Sequence, residues 1–165
     1  MLEFTALNRQ NYRLFEEEIM LSEEIFPENI RETSESYRDV LCQPGVVAFI
    51  AAVQGVYAGN VVGFHPTADM RQILRLNELA IDHDELIYLF NIVALPEFQG
   101  CGVGMGLLNQ LLENSKKGGF SRVGGHFRGN GSLNNFIRRG GEILATFDNW
   151  FETGESYSYC ELQLQ

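Results

Sequence analysis

The sequence predicts a mixed α/β domain spanning residues 1–165, with one central β-sheet of about seven strands flanked by about four helices. Three observations carry this. The run "ELIYLFNIVAL", residues 85–95, is almost wholly apolar, as a strand is when both its faces are buried in the middle of a sheet. It leads through the glycine-rich stretch "QGCGVGMG", residues 99–106, into "VGMGLLNQLLENSKKGG", residues 103–119, where Leu107, Leu108, Leu111 and Leu112 share one side of a helix. With the strand "FSRVGGHF" after it, this forms a βαβ unit. Finally, "EILATFD" and "SYSYCELQL" read as two closing strands, the second alternating cleanly.

The remaining elements follow in order. "LEFTAL" alternates as a short strand. Asn8 is a candidate cap for a helix over "RQNYRLFEEEIML", residues 9–21, where Tyr12, Phe15, Ile19 and Met20 recur at helical spacing. Pro27 breaks it, and "TSESYRDVLCQ" reads as a second helix ending before Pro44. "VVAFIAAVQGVYAGNVVGFH" reads as two strands joined near Gln54 and Gly55. Residues 66–84 read as an insertion, in which "MRQILRLNELAI" suits helix or strand equally. Lys116 and Lys117 suit the C-terminus of the leucine helix, with Gly118 as its cap. "NGSLNNFIRRGG" reads as a short helix ending in glycine.

Composition narrows the class. Hydrophobic residues make up 45% of the chain and charged residues 21%, the balance of a globular protein. No apolar run approaches the ~20 residues of a membrane span, and "MLEFTALNRQ" lacks the marks of a signal peptide. Cys42, Cys101 and Cys160 are odd in number and widely spaced, which fits reduced thiols in a cytoplasm rather than a disulfide framework. The formal charge of -10 opposes nucleic acid as a partner. No His, Cys or Asp pair has metal-ligand spacing, so no metal is expected.

The four glycines of residues 99–106 each cost about 1 kcal/mol relative to alanine in a helix. A strand, a glycine turn and a helix N-terminus together can grip a phosphate through main-chain N–H groups; close packing of the first helical turn is the plainer reading. The dinucleotide fingerprint does not fit, because the sixth position from Gly100 is Met105 and from Gly102 is Leu107. The Walker loop does not fit either, since the chain contains no Gly-Lys.

Gln99, Gly102 and Gly104 instead match the Q/R-x-x-G-x-G/A signature of the GCN5-related N-acetyltransferases (GNAT), and "LFNIVALPEFQ" resembles the strand and proline turn that lead into it. The resemblance is most specific over residues 86–117 and is topological only before residue 45. It implies a sheet splayed between its fourth and fifth strands, and acetyl-CoA as donor substrate. It implies that the pyrophosphate lies on the amides of Gly100, Cys101, Gly102, Val103, Gly104 and Met105, beside Gln99, and that the pantetheine arm runs along Ile92, Val93 and Ala94. An N–H of that strand would stabilise the oxyanion. Asn130 fits the CoA-contacting asparagine, with Asn134 competing. The family's Tyr acid aligns here with Phe136, or with Ile137 under a different gap, and neither donates a proton.

The missing acid must come from elsewhere. Tyr157 and Tyr159 alternate on the last strand and share a face; each is a candidate acid or a core residue, and Tyr88 reads the same way. His126, near where some relatives carry a strand Glu, is the candidate base, and equally a plain strand histidine. Asn91 could hold a water or the substrate amide, or satisfy the backbone at a bulge. Because the family transfers acetyl directly, Cys101 reads as a small loop residue rather than a nucleophile.

The acceptor side is acidic in sequence: Glu16, Glu17, Glu18, Glu23, Glu24 and Glu28, with Glu78, Asp82, Asp84 and Glu85 from the insertion. These carboxylates either attract a cationic acceptor, such as a polyamine, a basic amino acid or a peptide amine, or are solvated helix faces. Within the family, "LFNIVALPEFQ" is most similar to the ribosomal-protein N-terminal alanine acetyltransferases, whose substrate is not carried over. The resemblance allows a homodimer, although no stretch marks an interface. Two other classes stay open: a non-catalytic acetyl-CoA sensor, motivated by the missing Tyr, and a nucleotide-binding α/β domain.

Overall fold

The seven strands of the computed structural model, which describes residues 1–129 and 131–165, lie in one sheet in the order β1-β2-β3-β4-β5-β7-β6. They are β1 (Leu2–Ala6), β2 (Val47–Val53), β3 (Val56–Phe64), β4 (Leu86–Ala94), β5 (Arg122–Phe127), β6 (Glu142–Phe147) and β7 (Tyr157–Gln163). The β2–β3 hairpin turns at Gln54 and Gly55, both at positive φ, as a tight two-residue hairpin requires. All neighbours are antiparallel except β4 and β5.

Among the described residues there are five α-helices rather than about four. They are α1 (Glu16–Ser22), α2 (Ser34–Val40), α3 (Ala68–Ile73), α4 (Val103–Lys117) and α5 (Gly131–Arg138). The additional one is α3, inside the insertion, where the Thr67 side chain accepts from the Met70 amide. Thr33 caps α2 in the same way. The helix expected over residues 9–21 begins only at Glu16. Asn8 does bond downstream amides, those of Gln10 and Asn11, but Asn11 reaches back to the Ala6 carbonyl. These side-chain bonds hold residues 8–11 in a turn, which leads into a single 3-10 turn at Tyr12–Leu14 before α1 begins.

Each face of the sheet carries its own core. On one face Tyr12, Ile19 of α1 and Tyr37 of α2 form one cluster with Phe64, Tyr88 and Tyr159 of the sheet, and Met70 of α3 packs against it. On the other, the leucines of α4 pack with Phe136 of α5 against Val61, Ile87 and Val123. β4 lies between them and is buried on both faces along most of its length.

Two irregularities in β4 shape the site. It pairs with β5 only at Leu86, Ile87 and Tyr88, and beyond Tyr88↔Gly124 the two strands part. Against β3, Val62 faces Asn91 and Gly63 faces Leu89, so Phe90 is an extra residue, a β-bulge. The bulge turns two successive side chains to the same face. Phe90 packs edge-on against Tyr37, and Asn91 bonds Glu23. In a regular strand Asn91 would point into the leucines of α4.

Candidate active site

The glycine loop lies at the open end of the splay. Leu95 donates to the Ala58 carbonyl of β3. Directions alternate along a strand, so the amides and carbonyls of Ile92 and Ala94 face the open edge while those of Val93 face β3. Of the three residues named for this edge, two therefore offer main-chain groups to the splay. Gly100 and Gly102 sit at φ 82 and 81 with open space around an added Cβ, so backbone conformation explains glycine there. In the first turn of α4, the amides of Val103, Gly104 and Met105 have no carbonyl one turn earlier to bond. Together with the helix dipole they present positive potential at the loop.

Cys101 is exposed, and its amide donates to the Phe98 carbonyl, so it is the one loop amide among residues 100–105 already engaged by a turn. Gly106 has a different task. A Cβ there would stand 2.4 Å from the Phe4 ring, so this glycine lets α4 close on β1. Asn135 lies with its side-chain amide against Gly104, a neighbour of the loop that the sequence reading did not single out. Asn130 lies outside the described residues, and Asn134 is exposed.

On the α1–α2 face, a cleft of about 560 Å³ opens beside the same splay. Its floor is β4 from Tyr88 to Ile92, with His126 and Phe127 at the end of β5 and Arg128 just beyond it. One wall is the segment from Glu23 to Gln43, another is Met70, Ile73 and Leu74 of the insertion, and a third is Trp150, Phe151 and Tyr157. The insertion is anchored across the cleft by Arg75, whose guanidinium lies 4.7 Å from the Phe147 ring centroid.

Glu23 is the site residue that sequence reasoning left inside a crowd of surface acids. It follows α1 directly and is only 3% exposed. Oε1 accepts from the Tyr37 hydroxyl and from Asn91 Nδ2 at 3.1 Å; Oε2 accepts from the Glu32 amide at 2.9 Å. Burial pushes its carboxyl above the ordinary glutamate value, against the lowering effect of these hydrogen bonds. The signal in the sequence was faint: a spacing from Ile19 that continues the buried face of α1.

The other acids named for this region do not line the cleft. Glu16 pairs with Arg38 at 2.7 Å, Glu78 with Arg75 at 2.5 Å, and Asp82 with Arg122 at 3.6 Å. Glu32 and Asp39 do line it, but so do Arg31 and Arg128. The acidic mouth expected from the sequence is therefore a mixed one, because most of its carboxylates lie on outward helix and loop faces.

His126 reaches the cleft from β5 within an aromatic cage. Its ring stacks on Trp150 at 4.1 Å, and Nδ1 lies 2.8 Å from the Tyr88 hydroxyl. Burial pushes its pKa down to about 3, with the Arg75 charge adding to the effect. The imidazole is thus neutral at physiological pH and a poor acceptor of a proton from an ammonium.

The two closing tyrosines separate. Tyr159 donates to Glu161 Oε2 at 3.0 Å and is fully buried in the core. Tyr157 lines the cleft, and its buried hydroxyl has no hydrogen-bond partner among the described residues. Burial raises its pKa, so it remains a protonated phenol. Phe136 has no exposed surface; it packs on Phe127 at 4.9 Å and beneath Gly141. Phe136, which the family resemblance also places next to the cofactor, supports α5 from inside.

Among the described residues no group of three or more His, Cys, Asp or Glu side chains could hold a metal ion, and no helix is long and apolar enough to cross a membrane.

The architecture has many relatives. The ribosomal-protein-S18-alanine N-acetyltransferase from Escherichia coli superposes with a TM-score of 0.74 at 15% identity, over 100% of this chain and 95% of that one. Ard1 from Thermoplasma volcanium gives 0.77 at 12% identity, over 99% and 98%. Arabidopsis thaliana Naa50, in complex with the bisubstrate analogue CoA-Ac-MVNAL, gives 0.70 at 15% identity, over 98% and 97%. At such identities the likeness concerns the fold. No curated protein matches the sequence. The family model for acetyltransferases of the GNAT family matches residues 9–140. With the splayed sheet, the bulge and the glycine loop in place, the chain belongs to the GNAT family of acetyltransferases.

Proposed function

We propose that this chain transfers the acetyl group of acetyl-CoA directly to a primary amine held in the cleft on the α1–α2 face. One observation carries the reading: a phosphate-type loop and an open strand edge on one side, and a buried carboxylate on the other, meet at the same bulge of β4. The Naa50 structure bound to a CoA-peptide conjugate supports a donor and an acceptor that meet within this fold.

The pyrophosphate would rest on the amides of Gly102, Val103, Gly104 and Met105, and the pantetheine amides would pair with Ile92 and Ala94 as an added strand does. The thioester carbonyl then lies by the Ile92 N–H, which stabilises the oxyanion as the amine attacks. An amine enters the cleft as an ammonium, since its pKa is near 10. Glu23 accepts that proton, aided by the upward push of burial on its carboxyl. The freed nitrogen forms the new bond to the carbonyl carbon and the carbon–sulfur bond breaks; the Tyr157 hydroxyl gives its proton to the departing thiolate and regains one from the acetylated nitrogen, which sheds its second proton as the amide forms.

His126, named as the base from sequence, takes a positioning role in this scheme: it remains neutral and holds Tyr88 and Trp150 at the cleft floor. The acceptor is a primary amine that carries a single positive charge near Glu23; the polycations suggested by the glutamate run have less support, because most of those carboxylates lie off the cleft. Thiol release from acetyl-CoA with a panel of amines tests the reading. Turnover that falls at least 100-fold in Glu23→Gln, with acetyl-CoA affinity unchanged, is the expected result. Acetyl-CoA binding with no turnover on any amine would favour the sensor.

A further inference from the structure

Two large apolar side chains stand exposed at the cleft, beside its charged lining residues. Phe151 is 46% exposed and Ile73 is 57% exposed, and both line the cleft. They come from opposite sides, Ile73 from the end of α3 and Phe151 from the turn before β7. Behind them, Phe26, Ile30 and Trp150 carry the apolar surface inward toward Phe90 and the bulge.

The turn that presents Phe151 is strained. Asn149, Phe151 and Glu152 have φ of 48, 45 and 59. A left-handed conformation is accessible to Asn, but for a bulky residue it is an outlier. Such a conformation persists only where the surroundings impose it. Here Gly154 donates to Asn149 Oδ1 at 2.8 Å, and Asn29 Nδ2 reaches from the facing wall to the Glu152 carbonyl at 2.7 Å. The fold holds a large ring half in solvent, at the mouth of a cleft, and ties that turn to the opposite wall. One edge of the ring packs against Trp150 at 4.7 Å between centroids, yet nearly half of the residue remains exposed.

We infer that the acceptor is a primary amine with a large apolar or aromatic group close to its nitrogen, and that Phe151 and Ile73 are the residues that select it. This rests on the acetyl-transfer reading above for the place of the amine, beside Glu23. An arylalkylamine and a peptide whose first residue is large and apolar share this chemistry. A polyamine does not, since its second charge would lie against Phe151, Ile73 and Ile30. A peptide beginning with Gly or Ala would leave the apolar rim wet.

Two measurements on the full chain test the inference. The first is kcat/KM with acetyl-CoA for 2-phenylethylamine, spermidine, and peptides starting with Met, Phe or Ala. The expected result is at least a tenfold preference for phenylethylamine, or for the Met and Phe peptides, over spermidine and the Ala peptide; which arm leads identifies the source of the amine. Phe151→Ala should raise KM for the preferred acceptor about tenfold and shrink its preference over the Ala peptide by a similar factor. Turnover that favours spermidine or the Ala peptide overturns the inference and leaves acetyl transfer standing. The second measurement uses Trp150, the only tryptophan of the chain, whose fluorescence reports occupancy of the cleft without any chemistry. Saturable quenching by phenylethylamine but not by spermidine, lost in Phe151→Ala, supports the apolar site even where no amine turns over, and then acetyl transfer is what fails. Absence of both quenching and turnover overturns the inference.

Discussion

The two halves of the proposed site use different parts of the chain. The glycine loop works through its backbone: the amides of residues 102–105 and the φ angles of Gly100 and Gly102. The amine cleft works through side chains, gathered from the turn after α1, from α2, from the insertion, from β4 and β5, and from the turn before β7. A backbone site needs particular residue types at fixed spacing and is therefore local in sequence. A side-chain site needs only proximity after folding. The overall fold that carries both halves is shared with structures at 12–15% identity.

If the loop acts through conformation, its largest failure should follow from a side chain that cannot adopt it. Gly102→Val places a β-branched residue at φ 81 where space is otherwise open. We expect acetyl-CoA affinity to fall at least 100-fold by calorimetry, while Gly102→Asn, whose side chain tolerates the left-handed region, loses under tenfold. Equal losses in the two variants would mean that bulk, not backbone angle, decides, and the contrast between the halves would collapse.

On the cleft side the largest effect should come from Glu23. General base catalysis contributes roughly 10²–10⁴-fold, so Glu23→Gln should lower kcat by about 100-fold or more. Its pH signature is independent of that number. With its pKa raised in the fold, the acid limb of kcat/KM should lie above the ordinary glutamate value near 4.3. The same shift has a stability sign. A carboxyl whose folded pKa is raised stabilises the fold when protonated, and this contribution is lost as pH rises through the folded value. Glu23→Gln should therefore remove part of the fall in stability on that side.

His126 supplies the opposite slope. Its folded pKa of about 3 lies below the ordinary 6.5, so its contribution is present above 6.5 and is lost as pH falls toward 3. One such group gives about 1.4 kcal/mol per pH unit across that window. Urea midpoints measured from pH 7 to pH 4 should fall more gently in His126→Gln than in the wild type. A wild-type slope that the substitution leaves unchanged would mean that His126 titrates normally, and it would return as a candidate base.

How much of this could be read in advance differs between the halves. Gln99 to Met105 announced the loop, because Gly100 and Gly102 stand where main-chain geometry needs glycine, and "ELIYLFNIVAL" announced the central strand by being apolar on both faces. Tyr157 and Tyr159 could be placed on one face but not told apart, since alternation carries no information on which hydroxyl finds a partner. Glu23 was hidden among its neighbours: the sequence shows six glutamates between residues 16 and 28, and only the fold buries one of them under Tyr37 and Asn91. The bulge at Phe90 was implied by the family resemblance, but its consequence for Asn91 was not, because a one-residue slip changes which face a side chain takes. Phe151 carried no sequence signal, since its positive φ is imposed by bonds to Asn149 and from Asn29.

The smallest effect divides the glycines of the loop among themselves. Gly106 lies in α4 beyond the amides that meet a phosphate, and an added Cβ would stand 2.4 Å from the Phe4 ring. Gly106→Ala gains about 1 kcal/mol of helix propensity, but it forces the half-buried Phe4 ring aside, and overpacking of this kind costs about 1–3 kcal/mol. The net expectation is a loss of about 1 kcal/mol in denaturant unfolding, with acetyl-CoA affinity changed less than twofold. Phe4→Leu combined with Gly106→Ala should recover most of that loss, because the clash is with the far end of the ring. An affinity that drops with Gly106→Ala would instead place this glycine with Gly102 in the binding backbone and move the boundary between packing and recognition one helical turn further into α4.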